Sequence, residues 1–248
     1  MHLYNMKKIA LILILALGEL LFPGRARAQD DYAIFSAAAG KASLLYRGHK
    51  AFEYNIIYNG TYYWYGPDFN QGELIYGEKV YRDIALNIDA ARQELIVRIP
   101  EGLSDKALSR EFVRECSFGG NRYLNLQYTM GEAAPAGFWE VRYDGPSQIL
   151  RQVSKKLEDD TDGRKRDAME FEGEYRLDAY RIFTYSADYL YRSPQGKLVP
   201  VKRRSDMLKL VDKSKRRELR RSIRQLESAG MLPFEQFCLV VARYIDTQ

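Results

Sequence analysis

The stretch ELIYGEKVYRDIALNIDAARQELIVRI, Glu73 to Ile99, decides how this chain is read. It contains three runs rich in β-branched and aromatic residues, ELIY, KVYRDIALNI and ELIVRI, with Gly77-Glu78 as turn chemistry between the first two. Short runs with such tight punctuation predict antiparallel strands joined as a meander. In RQELIVRI, Leu95 and Val97 point one way while Glu94, Ile96 and Arg98 point the other, which predicts one dry and one wet face.

Toward the N-terminus, FEYNIIY (52–58) and TYYWY (61–65) extend the strand pattern, bracketed by Asn59-Gly60 and Gly66-Pro67. A strand through TYYWY would send Tyr62 and Trp64 to one face and Tyr63 and Tyr65 to the other. Trp64 is therefore predicted to be buried, and Tyr63 and Tyr65 are the candidate ligand-facing aromatics, because exposed rings can stack on sugars. Toward the C-terminus, NRYLNLQY and GFWEVRY read as further strands, and Asp144-Gly145-Pro146 as a turn. SQILRQVSKKLED then grows steadily more polar and leads into the charged segment 159–174, an expected exposed loop. A last hairpin, ADYLYRS and KLVPVK, turns at Pro194-Gln195-Gly196.

Past Arg204 the period becomes helical. Ser205 suits an N-cap for DMLKLV; Leu219, Ile223 and Leu226 form an apolar stripe that Gly230 ends; Pro233 opens a helix with Phe237, Val240, Val241 and Tyr244 on one face. Such stripes need a partner, most simply the sheet. The expected fold is α+β: an antiparallel, curved meander sheet over 52–204, with the helical segment 205–248 packed on it in the same domain.

Ahead of this lie an arm, 29–51, without clear period, and an export signature. Lys7 and Lys8 precede the apolar run Ile9 to Gly18, and Ala26-Arg27-Ala28 supplies a small-x-small step, so residues 1–28 are expected to be a signal peptide and the mature chain to start at Gln29. The apolar run is too short to span a bilayer. Losing Lys7, Lys8, Arg25 and Arg27 together with Glu19 lowers the formal charge from +5 to +2. The basic character of the full chain thus does not argue for nucleic acid.

The remaining charge is unevenly placed. Residues 201–248 hold 12 basic and 6 acidic groups, and KSKRRELRRSIR, Lys213 to Arg224, sets seven cations against Glu218 alone. Arg216, Arg217, Arg220 and Arg221 are the candidate patch for an anionic partner, either lipid headgroups or another envelope protein. A solvated helix face is the competing account.

Catalytic chemistry is thinly represented. The mature chain has one histidine, His49 in RGHK, so Cys116 with His49 is the one Cys-His option, and no strand-to-helix turn frames it. Cys116 and Cys238 either form one bridge or, as FCLVVA suggests for Cys238, serve as small core residues. Glu158 to Gly163, EDDTDG, begins like a calcium loop, but Met169 stands where the bidentate acid belongs. Glu73, Asp83, Asp89 and Glu94 flank the aromatic strands and are the first carboxylates to consider for a glycosidase-like pair. No metal site and no cofactor are expected from these patterns.

The order of Phe69 and Gly72, Leu86 and Asp89, Glu94 and Leu95, and the helical residues 205–246 resembles a group of exported proteins of unknown function from Bacteroidota. The resemblance implies a Gram-negative setting, periplasmic or outer-membrane-associated, and supplies no catalytic residue. The reading that follows is a non-catalytic cell-envelope protein for binding or assembly; the alternative is a glycan-binding or glycan-acting protein using the aromatic strands.

Overall fold

The computed structural model describes residues 44–99, 104–159 and 181–247. The expected signal peptide, most of the arm and nearly all of the charged segment 159–174, with the calcium-like EDDTDG beyond its first two residues, lie outside the described residues. The chain divides into two units, 1–47 and 48–248. Of the first, Leu44–Arg47 is a short 3-10 turn.

Among its described residues the second unit holds eleven strands: β1 (His49–Lys50), β2 (Asn70–Tyr76), β3 (Lys79–Asp89), β4 (Glu94–Val97), β5 (Lys106–Ala107), β6 (Val113–Phe118), β7 (Asn121–Asn125), β8 (Phe138–Asp144), β9 (Gln148–Asp159), β10 (Arg181–Arg192) and β11 (Leu198–Pro200). The described α-helices are α1 (Leu126–Met130), α2 (Arg204–Leu210), α3 (Arg216–Leu226) and α4 (Phe234–Asp246). One open sheet runs β1-β5-β4-β3-β2-β6-β7-β8-β9-β10-β11, with every strand antiparallel to its neighbour. This is the α+β architecture expected from the strand runs and terminal helices. The sheet takes its first strand from His49–Lys50, inside the segment read as an arm.

The sheet is curved. The turn between β3 and β4 reaches across to β9, although four strands separate β3 from β9 in the order. Gln93 spans the gap: its Nε2 donates to the carbonyls of Ala90 (2.9 Å) and Val153 (2.8 Å), and its Oε1 accepts from the Phe138 amide (3.2 Å). Gly72 permits the close approach of β2 to β6. A Cβ there would run into the Ser117 carbonyl oxygen and lie 2.7 Å from Phe118 Cβ, so the Phe69-x-x-Gly72 step has a steric cause.

Burial departs from simple alternation. Leu95, Ile96 and Val97 are all fully buried, so β4 has no wet face. The curved sheet covers both of its sides, and a strand dry on two faces reads as a continuous apolar run. The same holds for the β9–β10 hairpin. Ile149 and Tyr191 pack with Met207, Leu219, Ile223, Phe237 and Val241 of the helices, while Leu150 and Leu190 pack with Leu126 and Trp139 on the opposite face.

Three local expectations are corrected. FEYNIIY forms no strand; Phe52, Ile56 and Ile57 are exposed, and Tyr54 and Tyr58 instead pack edge-on against Phe183 at 5.1 and 5.0 Å. SQILRQVSKKLED, read as a run fading into a loop, is almost wholly strand β9, paired residue for residue with β10 from Gln148↔Arg192 to Asp159↔Arg181. A hairpin satisfies its backbone groups whatever its side chains, so polarity alone does not end it. The helix after Arg204 is capped by Arg203, not Ser205: the Asp206 carboxylate accepts the amides of Lys202 (3.3 Å) and Arg203 (3.0 Å).

Both cysteines are free and buried, which settles the choice left open between a bridge and core packing. Burial pushes the Cys238 thiol up to about 12 and that of Cys116 higher still, so neither is an ionised nucleophile near neutral pH. His49 lies elsewhere, exposed, with Nε2 3.8 Å from Glu94 Oε1.

Candidate functional site

Helix α4 is seated on the sheet by charge as well as by apolar packing. Glu140 on β8 is fully buried, directly opposite Arg151 on β9. Arg151 Nη2 donates to Glu140 Oε2 at 2.6 Å and Arg142 Nη1 to Glu140 Oε1 at 2.9 Å. The same two arginines reach Glu235, in the first turn of α4, with Arg142 Nε at 2.7 Å and Arg151 Nη1 at 2.9 Å. Two cations and two anions thus close a ring, and Tyr189 adds its hydroxyl to Glu235 at 3.1 Å. Although burial opposes it, the hydrogen bond from Arg142 and the charges of both arginines hold the Glu235 carboxyl below its usual range. At the other end of α4, the Ser147 amide donates to Asp246 at 3.1 Å.

The aromatic row meets this ring from outside. Trp64 is 3% exposed, packs edge-on to Tyr123 at 5.5 Å, and donates Nε1 to Glu140 Oε2 at 3.3 Å. The expected burial of Trp64 is thus found. Tyr65 donates its hydroxyl to Glu140 Oε1 at 2.5 Å and receives Arg151 Nη2 at 2.6 Å, yet the residue stays 55% exposed. Desolvation and the Glu140 hydrogen bond push its phenol up to about 12.

Tyr63 does not share that surface. Its hydroxyl accepts from Tyr62 at 3.1 Å, and its ring meets Tyr62 and Phe69 at 4.3 and 5.7 Å. The alternation expected through TYYWY fails because the segment is not a regular strand: its ladder pairing is the isolated bridge Tyr63↔Asp89. Trp64 and Tyr65 therefore converge on one carboxylate, and the expected Tyr63–Tyr65 pair is split.

Of the four candidate carboxylates, Glu73 pairs with Arg82 at 3.3 Å and Glu94 with Arg92 at 3.1 Å. Asp83 occupies a left-handed position, φ 54°, within β3. Asp89 is buried: Oδ1 accepts the amides of Ala91 (2.8 Å) and Arg92 (2.9 Å), closing the turn after β3, and Oδ2 has no partner among the described residues. The Leu86-x-x-Asp89 pattern is thus a turn device. Nearby, Lys155 donates Nζ to the Tyr63 carbonyl. Burial raises the Asp89 carboxyl from 3.8 to about 6 and lowers the Lys155 amine to about 8.

That shift has a measurable consequence. A carboxyl raised in the folded state contributes stability that is complete below pH about 4 and is lost as pH rises through about 6. Asp89→Asn keeps an acceptor for the two amides and removes the buried charge. It is expected to match the wild type at pH 4 and exceed it by about 2 to 3 kcal/mol above pH 7. Urea unfolding at both pH values checks this; a gap independent of pH would contradict it.

The basic surface is on α3. Leu219 and Ile223 are buried against the other helices, whereas Leu226, expected in the same stripe, is 53% exposed because the helix runs out past its support. Lys213, Arg216, Arg217, Arg220, Arg221 and Arg224 line a depression of about 600 Å³. Arg216 is committed to the fold: Nε donates to the Val211 carbonyl (2.9 Å) and Nη2 to that of Lys209 (3.0 Å), closing the end of α2. The other five cations are exposed and, among the described residues, have no carboxylate within ion-pair distance. The predicted patch is therefore present at Arg217, Arg220 and Arg221, joined by Lys213 and Arg224, while Arg216 is half-buried and otherwise engaged.

Among the described residues no helix is long and apolar enough to cross a membrane. No protein family, curated protein or solved structure matches this chain.

Proposed function

We propose that this chain is a non-catalytic binding protein of the Gram-negative envelope that docks on anionic lipid headgroups through α3. The observation that carries the reading is the set of five exposed cations, Lys213 just ahead of α3 and Arg217, Arg220, Arg221 and Arg224 on it, without carboxylate partners among the described residues, while the buried apolar residues of the helix are already used inside the protein. A helix that spends its apolar face on its own core cannot insert deeply, so its attraction to a surface is mainly electrostatic. The acidic remainder of the chain, net −4 over residues 29–200, favours one orientation, with α3 facing the anionic surface. Export by residues 1–28 puts such a surface within reach.

Each cation near an anionic surface contributes on the order of 1 kcal/mol, so Arg217→Glu/Arg220→Glu/Arg221→Glu is expected to weaken binding to phosphatidylglycerol-containing vesicles by about a hundredfold or more. Raising the salt should weaken wild-type binding steeply. Cosedimentation checks both effects. Equal binding to neutral and anionic vesicles would refute the reading, and retention on an acidic protein in place of the vesicles would redirect it.

A further inference from the structure

A second surface, independent of α3, has the chemistry of a ligand site. Beside Tyr65 lies a cleft of about 490 Å³, within the roughly 300 to 1,000 Å³ of small-molecule sites. One wall is the loop 65–68, the other the turn between β6 and β7, and the floor includes Phe118 and Tyr123, whose rings stack at 4.7 Å.

The Tyr65 ring is exposed but not free. Its hydroxyl is held by the buried Glu140 and by Arg151, so the ring cannot fold down onto the protein to escape water. The loop behind it is held too, since Asn87 Nδ2 donates to the carbonyls of Gly66 (2.9 Å) and Asp68 (3.0 Å). An aromatic face kept in water by bonds from beneath is preorganised, and binding to it costs little further ordering.

The polar groups around that ring are of one kind. Asn70 and Asn121 spend their Nδ2 groups on the carbonyls of Asp68 (3.4 Å) and Gly119 (3.1 Å), which leaves each side-chain oxygen without a partner among the described residues. The Asp68 carboxylate likewise has no hydrogen bond or ion pair among them, and the Tyr123 hydroxyl in the floor is buried without a partner. Three open acceptors beside an exposed ring call for a ligand with several O–H donors and an apolar C–H face. Pyranose sugars have both. Asp68, the single charged residue in the lining, disfavours an anionic ligand. We infer that this cleft binds neutral pyranose units of a glycan, with Tyr65 as the stacking platform and Asp68, Asn70 and Asn121 as hydroxyl acceptors.

The test is calorimetric titration and saturation-transfer NMR of the full mature chain with neutral oligosaccharides, in separate arms of β-linked glucose, α-linked glucose, mannose and N-acetylglucosamine oligomers, and with an oligo-uronate. Binding is expected in at least one neutral arm and weaker binding, or none, for the uronate. Tyr65→Ala should weaken the neutral interaction at least tenfold, and Tyr65→Phe, which keeps the ring, only severalfold. Since Tyr65→Ala also disturbs Glu140, the surface variants Asp68→Ala and Asn121→Ala provide a second measure, each with a loss of severalfold or more at unchanged Tm. Absence of binding in every neutral arm at millimolar concentration, or binding indifferent to all these substitutions, would overturn the proposal. Neither result bears on vesicle binding by α3, which involves none of these residues.

Discussion

Glu140→Ala should cost about 3 to 5 kcal/mol of folding stability, because it leaves the half-buried cations Arg142 and Arg151 with Glu235 as their shared anion. The full ring is balanced, two guanidiniums against two carboxylates. Removing the one member that is fully buried uncovers a desolvated positive charge, and also strands the Tyr65 hydroxyl and Trp64 Nε1. The same reasoning predicts its remedy. Replacing Glu140 and Arg151 together by apolar residues of similar volume should recover much of the loss, since a buried pair is weak in net stability although either half alone is costly. Denaturant unfolding of both singles and the double measures the coupling. A Glu140→Ala cost below about 1 kcal/mol would show that water reaches the ring and screens it.

Trp64→Ala is expected to cost a similar amount, about 3 to 5 kcal/mol, by opening a large cavity beside Tyr123 and removing a donor to Glu140. Tyr63→Ala should cost visibly less, about 1 to 2 kcal/mol, because that ring is only half-buried and its hydroxyl meets just another tyrosine. The order of the two losses, read from unfolding midpoints at constant m-value, is the decisive quantity. Tyr63→Ala proving the costlier change would invert the assignment of the core. Because Trp64 and Glu140 share a hydrogen bond, their losses should not add.

Much of the candidate surface was readable from composition. The cations of Lys213 to Arg224 are contiguous in sequence, and helical spacing already separates them from Leu219 and Ile223. What no spacing shows is that Arg216 turns back to close α2, or that Leu226 overhangs its support. The cleft at Tyr65 was half legible. Its ring was a candidate, but Asn70, Asn121 and Phe118 come from both sides of the β2–β6 pairing, and the Tyr63 partner proposed with it belongs to a separate aromatic cluster. The sequence does carry one signal for it: Gly119-Gly120 between two strand runs marks a turn whose absent side chains leave room for a ligand.

The sequence by itself determined the α+β class, the central meander and the terminal helices, because strand and helix periods and their Gly and Pro punctuation act over a few neighbouring residues. It also determined the burial of Trp64, whose size leaves few favourable places outside a core. Only the tertiary structure decided that FEYNIIY is not a strand, since β-branched and aromatic residues suit a strand only where a neighbour completes its hydrogen bonds. Only the tertiary structure decided that the polar run after Ser147 is β9, because its partner β10 lies beyond the charged segment. The charge ring belongs to the same class: Arg151 and Glu235 are 84 residues apart, and their meeting depends on sheet curvature and helix docking, which long-range packing sets and local propensity does not.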